Sequence, residues 1–324
     1  MSKETITYIV FGIVILIALI FDLGLLSKKG KKVSIRQAML QTIFWVSLAL
    51  SFCVFVYFED GRLPALEFLS AYLMEWSLSI DNIFVFILIF TAFNVKEIHY
   101  GRSLIIGILL AIVFRVIFIT VGVALVAKFH WILYLFGAFL IYTGYKMFTA
   151  GEDDEFDPKT SPVYKWMNKV LPMTPSDGNG KFIVREGKKR KFTILFVVVV
   201  MLAAIDLVFA LDSIPAVMGI SQDRMVIYTS NIFAVLGLRS LFFLLRGAVN
   251  KFGYLQQGIA VVLVFIGAKM LGEHWINQWV DKTTQVFVSL GVIVLCIVAS
   301  ILYSIYHKEE PATEDQNVKV DISE

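Results

Sequence analysis

Nine stretches of about 18 or more predominantly apolar residues follow one another along the chain, near 6–26, 38–58, 64–92, 103–126, 131–149, 193–217, 225–245, 254–272 and 284–306. A helix needs about 20 such residues to cross about 30 Å of hydrocarbon. Inside lipid every backbone polar group must find a partner within the protein, which helices provide for themselves. Of the 324 residues, 58% are hydrophobic and only 17% are charged. The expected fold is an all-α polytopic membrane protein of about nine transmembrane helices, give or take one.

Lysine and arginine are distributed unevenly between alternate loops. One set carries Lys28, Lys29, Lys31, Lys32 and Arg36, then Lys96 and Arg102, then nine basic residues in 151–192, whereas the opposite set offers little beyond Arg62, Lys128, Arg224 and Lys282. The positive-inside rule therefore places the amino terminus outside and the carboxyl terminus in the cytoplasm. The first lysine cluster follows the first apolar run instead of preceding it, so this run reads as a retained span and not a cleaved signal. Residues 151–192 form the one long polar interruption, a cytoplasmic loop that begins acidic (Glu152 to Asp157) and ends basic (Lys188 to Lys191). The tail 307–324 lacks hydrophobic periodicity and reads as cytoplasmic and disordered.

The two sides of the polar loop resemble each other. Glu75 to Asp81 in span three has the same acid spacing as Asp206 to Asp212 in span six. The following spans each carry an arginine at mid-depth, Arg115 and Arg239, and the third members carry Gly144-Tyr145-Lys146-Met147 and Gly267-Ala268-Lys269-Met270. Residues 64–150 and 193–273 thus read as two three-helix repeats. Because three is odd, the second enters the membrane from the other side, giving inverted repeats. Residues 1–60, two peripheral helices, and the final span 282–306 pack around them as scaffold or as the surface of a homo-oligomer.

An ionisable side chain at bilayer depth costs about 2.5–3.5 kcal/mol on insertion scales, so it normally faces a cavity or a partner. Glu75, Asp81, Asn82, Asp206, Asp212 and Ser213 are the expected metal-binding set, with Ser79, Asn231, Arg115, Arg239, Lys146 and Lys269 as supporting or counter-ion groups. Glu75, Ser79 and Asn82 share one helical stripe. Side-by-side packing of spans three and six would place Glu75 level with Asp212 and Asp81 level with Asp206, making an acidic cage. Pro215 removes a backbone donor and frees the carbonyl near Leu211, as a broken helix does at transporter cation sites. Asp22 reads first as interfacial and second as the mouth of a pathway.

Such an all-oxygen site suits a hard divalent ion, Mn2+ with Ca2+ or Mg2+ as lesser candidates. The four histidines lie in loops or at helix ends, and Cys53 and Cys296 sit within spans, so neither type joins the cluster. The competing view treats the arginines and lysines as structural counter-ions to the four acids. A mixed view lets each arginine hold an aspartate until a metal arrives.

The motifs Glu75-Trp-Ser-Leu-Ser-Ile-Asp81-Asn82, Phe209-Ala-Leu-Asp-Ser-Ile-Pro-Ala216 and Thr229-Ser-Asn-Ile-Phe-Ala-Val-Leu-Gly-Leu-Arg239 resemble those of the TerC/Alx family. Trp131-Ile-Leu-Tyr134 and Phe265-Ile-Gly-Ala-Lys-Met270 extend the likeness, which runs from span one to span nine. The resemblance implies an integral protein of the bacterial inner membrane in the broader LysE-like transporter group, linked to manganese export and historically to tellurite resistance. Related sequences commonly carry a glutamate three residues before the first aspartate of the second motif, where this chain has Ala203. The expectation is a non-enzymatic transporter that exports a divalent cation, in exchange for protons, with no organic cofactor and no nucleic-acid partner. The alternatives are a metal-sensing or metal-delivery protein serving exported enzymes and, less favoured, an intramembrane aspartyl protease, whose Gly-x-Gly-Asp signature is missing.

Overall fold

Helix boundaries follow from short-range chemistry. Ser34 caps α2 (Ile35–Glu59) by accepting the Gln37 N–H at 3.2 Å. Asp223 does the same for α8 (Arg224–Leu245) through Met225, at 2.8 Å. Between α2 and α3 (Arg62–Ala92) the chain reverses at Gly61, whose φ of 101° is open to glycine and strained for other residues. The remaining helices are α1 (Lys3–Phe21), α4 (Glu97–Lys128), α5 (Ile132–Thr149), α6 (Pro162–Val170), α7 (Ile194–Ile220), α9 (Leu255–Leu271), α10 (Glu273–Trp279) and α11 (Lys282–Tyr306). This computed structural model describes residues 3–21, 33–149, 157–186, 189–246 and 254–306. Asp22 and the tail 307–324 lie outside the described residues.

The protein is an all-α polytopic membrane protein. Among the described residues seven helices are long and apolar enough to cross a membrane, and α9 with α10 makes an eighth if that pair, bent by 78°, is one span. The expected spans near 6–26 and 254–272 correspond to α1, which carries a shorter apolar stretch, and to α9, one arm of the bent pair. Pro215 does not break its helix: α7 continues to Ile220, and Pro215 is buried within it. The loss is limited to one backbone hydrogen bond, which the tight packing around α7 tolerates.

α8 is buried on nearly every face and forms the centre of the bundle. Around it α3 lies along both α8 and α7, α4 along α7 and α8, and α5 along α9. This pattern of pairings maps onto itself when α3, α4 and α5 are exchanged with α7, α8 and α9. Rings of Phe11, Phe52, Phe68 and Phe233, with centroids 5.2 to 6.0 Å apart, tie α1, α2, α3 and α8 together. The outward rows of α1, α2, α4, α5 and α11 are large apolar side chains, as lipid-facing surfaces require.

Small residues set the α5–α9 contact. A Cβ added at Gly267 would sit 2.6 Å from the Gly137 carbonyl oxygen, and one added at Gly137 would sit 2.9 Å from the Gly267 carbonyl oxygen. With no hydrophobic force between helices in lipid, this close backbone approach supplies the association.

The polar segment after α5 is folded where it is described. Ser161 caps α6, and an antiparallel hairpin follows, β1 (Ile183–Glu186) and β2 (Lys189–Phe192), which leads directly into α7. The module is fastened to the start of α4: Arg102 donates to the Gly180 carbonyl at 2.6 Å and covers the Phe182 ring, and Lys96 Nζ meets Asp177 Oδ2 at 2.7 Å. The Lys96 ammonium, aided by the Asn179 N–H, holds the Asp177 carboxyl below its ordinary value.

Two measurements check these contacts. Gly267→Ala is expected to destabilise the bundle by about 1–3 kcal/mol in thermal unfolding, whereas Gly291→Ala, with nothing within 4 Å of its added Cβ, leaves the midpoint unchanged. Because the Asp177 carboxyl is depressed, its contribution to docking is complete above the ordinary 3.8 and is lost as pH falls below it. Limited proteolysis of residues 157–192 is therefore expected to accelerate below that pH in the wild type, and Asp177→Asn is expected to show the faster rate already at neutral pH.

Candidate functional site

Arg115 of α4 is 2% exposed and lies at the meeting point of four helices. Its Nη1 donates to Glu75 Oε2 of α3 at 2.6 Å, to Asn231 Oδ1 of α8 at 2.9 Å and, more weakly, to Ser213 Oγ of α7 at 3.4 Å. Its Nε and Nη2 fork onto the two oxygens of Asp206, also of α7, at 3.3 and 3.2 Å. Asn231 is oriented for this: its Nδ2 donates to the Ile227 carbonyl at 2.9 Å, which turns the amide oxygen toward the guanidinium. Glu75 and Asp206 are each 1% exposed, so one cation balances two carboxylates in a region of low dielectric.

The balance is incomplete. Glu75 Oε1, Ser79 Oγ and Asn82 Oδ1 are buried and have no hydrogen-bond partner among the described groups. They recur at i, i+4 and i+7 on α3, within about 60° of one face at roughly 100° per residue. Buried polar atoms are normally satisfied, so a row of three unsatisfied oxygens beside a charged cluster departs from the usual pairing.

The structure thus joins Glu75, Asp206, Ser213, Asn231 and Arg115, and continues the row through Ser79 and Asn82. Of the four acids, Glu75 and Asp206 close on Arg115, and among the described residues no three His, Cys, Asp or Glu side chains converge on one point. Asp212 is half-buried and accepts from Thr143 Oγ1 of α5 at 3.2 Å. Thr143 is a partner that no sequence motif singled out. Arg239 is buried within α8, and Asp81 lies on α3 with its side chain outside the described residues. Lys146 is exposed in the last turn of α5. Lys269 points elsewhere: it donates to Ser289 Oγ of α11 at 3.1 Å and lines a cavity of about 90 Å³ with Glu67, Ser221 and Gln285. The two lysines read as counter-ions are therefore not part of the Arg115 cluster, because they sit at helix ends where a cation can reach polar surroundings. Ala203 is fully buried in α7, where a glutamate would add a further acid three residues before Asp206.

A helical membrane bundle that keeps two carboxylates, an arginine and bare oxygens at its core belongs to the integral membrane proteins with a polar centre. Residues 61–312 match the family described as integral membrane protein TerC, and the chain belongs to that family. It is 42% identical over 298 residues to an uncharacterized membrane protein of Myxococcus xanthus, spanning 92% of this chain and 91% of the relative. It is 40% identical over 296 residues to a membrane protein of Rickettsia felis, spanning 91% and 97%. It is 39% identical over 292 residues to Alx of Escherichia coli K12, named for a suggested role as a membrane-bound redox modulator, spanning 87% and 89%. No solved structure matches the chain.

Removing the guanidinium leaves two buried carboxylates uncompensated. Arg115→Met is expected to cost about 3–5 kcal/mol in thermal unfolding of the detergent-solubilised protein, and combining it with Glu75→Gln and Asp206→Asn is expected to restore most of the loss. A single variant that melts with the wild type would show that Arg115 does not hold the four helices.

Proposed function

We propose that the chain is a carrier that exports a hard divalent cation, Mn2+ in the first place, through the centre built around Glu75, Asp206 and Arg115. The observation that supports this most is the row of bare oxygens on α3 that ends at a half-satisfied carboxylate. Carboxylate, hydroxyl and amide oxygens are donors suited to Mn2+, Mg2+ or Ca2+. In the resting state Arg115 stands in for the cargo. An entering ion takes Glu75 Oε1 first and then competes with the guanidinium for the remaining carboxylate oxygens, so release of the metal is coupled to re-formation of the ion pair.

The acids that bind metal also bind protons, so exchange of metal for protons follows from the same groups. Asp81 and Asp212, in matching positions of the two halves, are assigned to the pathway on either side of the centre, and Arg239 to the role in the second half that Arg115 has in the first. The exchange symmetry of the helix pairings supports reading the halves as inverted repeats, with alternating access by movement of one against the other. The lysine and arginine asymmetry supports an amino terminus outside and a bacterial inner-membrane location. A redox effect of the kind suggested for Alx fits metal supply better than thiol chemistry here, since Cys53 and Cys296 are free and lie on α2 and α11.

Purified protein in proteoliposomes under an imposed pH gradient tests the reading. Mn2+ flux is expected to follow the gradient and to fall to the level of empty vesicles in Glu75→Gln and in Asp212→Asn. Wild-type protein that is folded and binds Mn2+ without moving it would instead identify a sensing or delivery protein.

A further inference from the structure

The hairpin after α6 carries an arrangement that folding alone does not favour. Its register sets Arg185 directly opposite Arg190 and Ile183 opposite Phe192. Directly opposed residues of an antiparallel pair share a face with Cβ atoms about 5 Å apart, and like charges there are destabilising. Arg185, Lys189 and Arg190 are exposed, and Lys181 joins Arg185 and Arg190 around an open concavity floored by Gly178, Asn179, Ile183 and Val184. No acid lines it.

The platform beneath this basic concavity is firm. Thr193 donates its N–H to the Phe182 carbonyl at 3.0 Å and its hydroxyl to the Lys181 carbonyl at 2.7 Å, and Phe192 exchanges backbone bonds with the 172–174 segment at 2.9 Å. Since Thr193 immediately precedes α7 and Arg102 of α4 grips the turn, the concavity is held at the ends of two helices long and apolar enough to cross a membrane. The same module shows apolar side chains to its surroundings: Ile183 beside the arginines, and Trp166 and Val170 on α6, each following an exposed lysine, Lys165 and Lys169.

We propose that Arg185 and Arg190, with Lys181, form a binding site for the phosphate headgroup of an anionic phospholipid. Arginine recognises phosphate through paired N–H donors, and a phosphodiester between the two guanidinium groups turns their repulsion into a shared attraction. The adjoining exposed apolar side chains select a lipid over free phosphate, because they gain from contact with acyl chain and interface. This site is independent of the cargo proposed above.

The test uses the full chain in nanodiscs of phosphatidylcholine containing a minor share of phosphatidylglycerol, with the retained lipid measured by native mass spectrometry. The wild type is expected to retain phosphatidylglycerol selectively. Arg185→Gln with Arg190→Gln is expected to lower that retention about thirtyfold, at roughly one juxtamembrane charge contribution per arginine. Lys128→Gln, a basic residue outside this module, is expected to leave it unchanged. In phosphatidylcholine alone the double variant is expected to melt at or above the wild-type midpoint, since it loses only repulsion. Equal retention by wild type and double variant would overturn the proposal. So would displacement of the lipid by inorganic phosphate, which would make the occupant a soluble anion. So would selectivity that appears only after Glu152, Asp153, Asp154 and Glu155 are converted to amides, which would make the occupant the chain's own acidic stretch.

Discussion

An arginine cannot shed its proton, so Arg115 must carry its charge wherever the fold puts it. Placed on a helix inside a bilayer, it is tolerable only if carboxylates come to it, and in this protein they come from two other helices while an amide comes from a third. That single requirement fixes α3, α7 and α8 against α4 in both rotation and height. A shift of α3 by one residue would turn Glu75 away by about 100° and leave a buried charge without its partner. Apolar packing alone would not impose this precision, because lipid tails compete for apolar contacts almost as well as neighbouring helices do.

The rest of the bundle can then be simple. α5 and α9 approach until backbone meets backbone, with glycine at both faces of the contact. α8 carries serine and threonine in its buried stretch, but Thr229 and Ser230 return their hydroxyls to the Met225 and Val226 carbonyls at 2.7 Å, so they ask nothing of their neighbours. Among the described residues, the buried oxygens of Glu75, Ser79 and Asn82 that lack a hydrogen bond line up on one stripe of α3 beside the charged centre, and this alignment distinguishes them from the isolated cases elsewhere in the bundle.

Much of this was legible in the sequence because membranes impose lengths and penalties that residues reveal directly. Apolar runs gave the helices, and the cost of intramembrane charge singled out Glu75, Asp206 and Arg115. Helical periodicity also placed Ser79 and Asn82 on the Glu75 stripe. Other features depended on three-dimensional approach. Lys146 and Lys269 sit at corresponding places in the repeat, yet one is exposed and the other serves a separate polar cavity with Glu67 and Ser221, because a helix end offers a lysine several directions in which to reach polar groups. Thr143 gave no signal, since a lone threonine in a span usually bonds its own helix. Pro215 suggested a break, but a proline in a well-packed helix removes one bond without ending it. The hairpin of 183–192 was hidden by charge density that reads as loop.

On the carrier reading proposed above, Arg115 is a stand-in for cargo and not a permanent brace, and the saturation of its partners separates the two roles. A brace works best saturated: every oxygen of both carboxylates would meet a donor, since each bare buried oxygen costs stability that a hydroxyl or amide nearby could recover. Asp206 approaches that limit, with both oxygens engaged by the guanidinium fork. Glu75 does not. One of its oxygens is held and the other is bare, next on its helix to a serine and an asparagine whose oxygens are also bare. On the carrier reading this asymmetry has a use. A cation moving along α3 can gain oxygen ligands one at a time before any ion pair is broken, so the barrier to displacing Arg115 is met after binding has begun and is correspondingly lower. A saturated brace would require the pair to open first, in a medium where opening it is most costly.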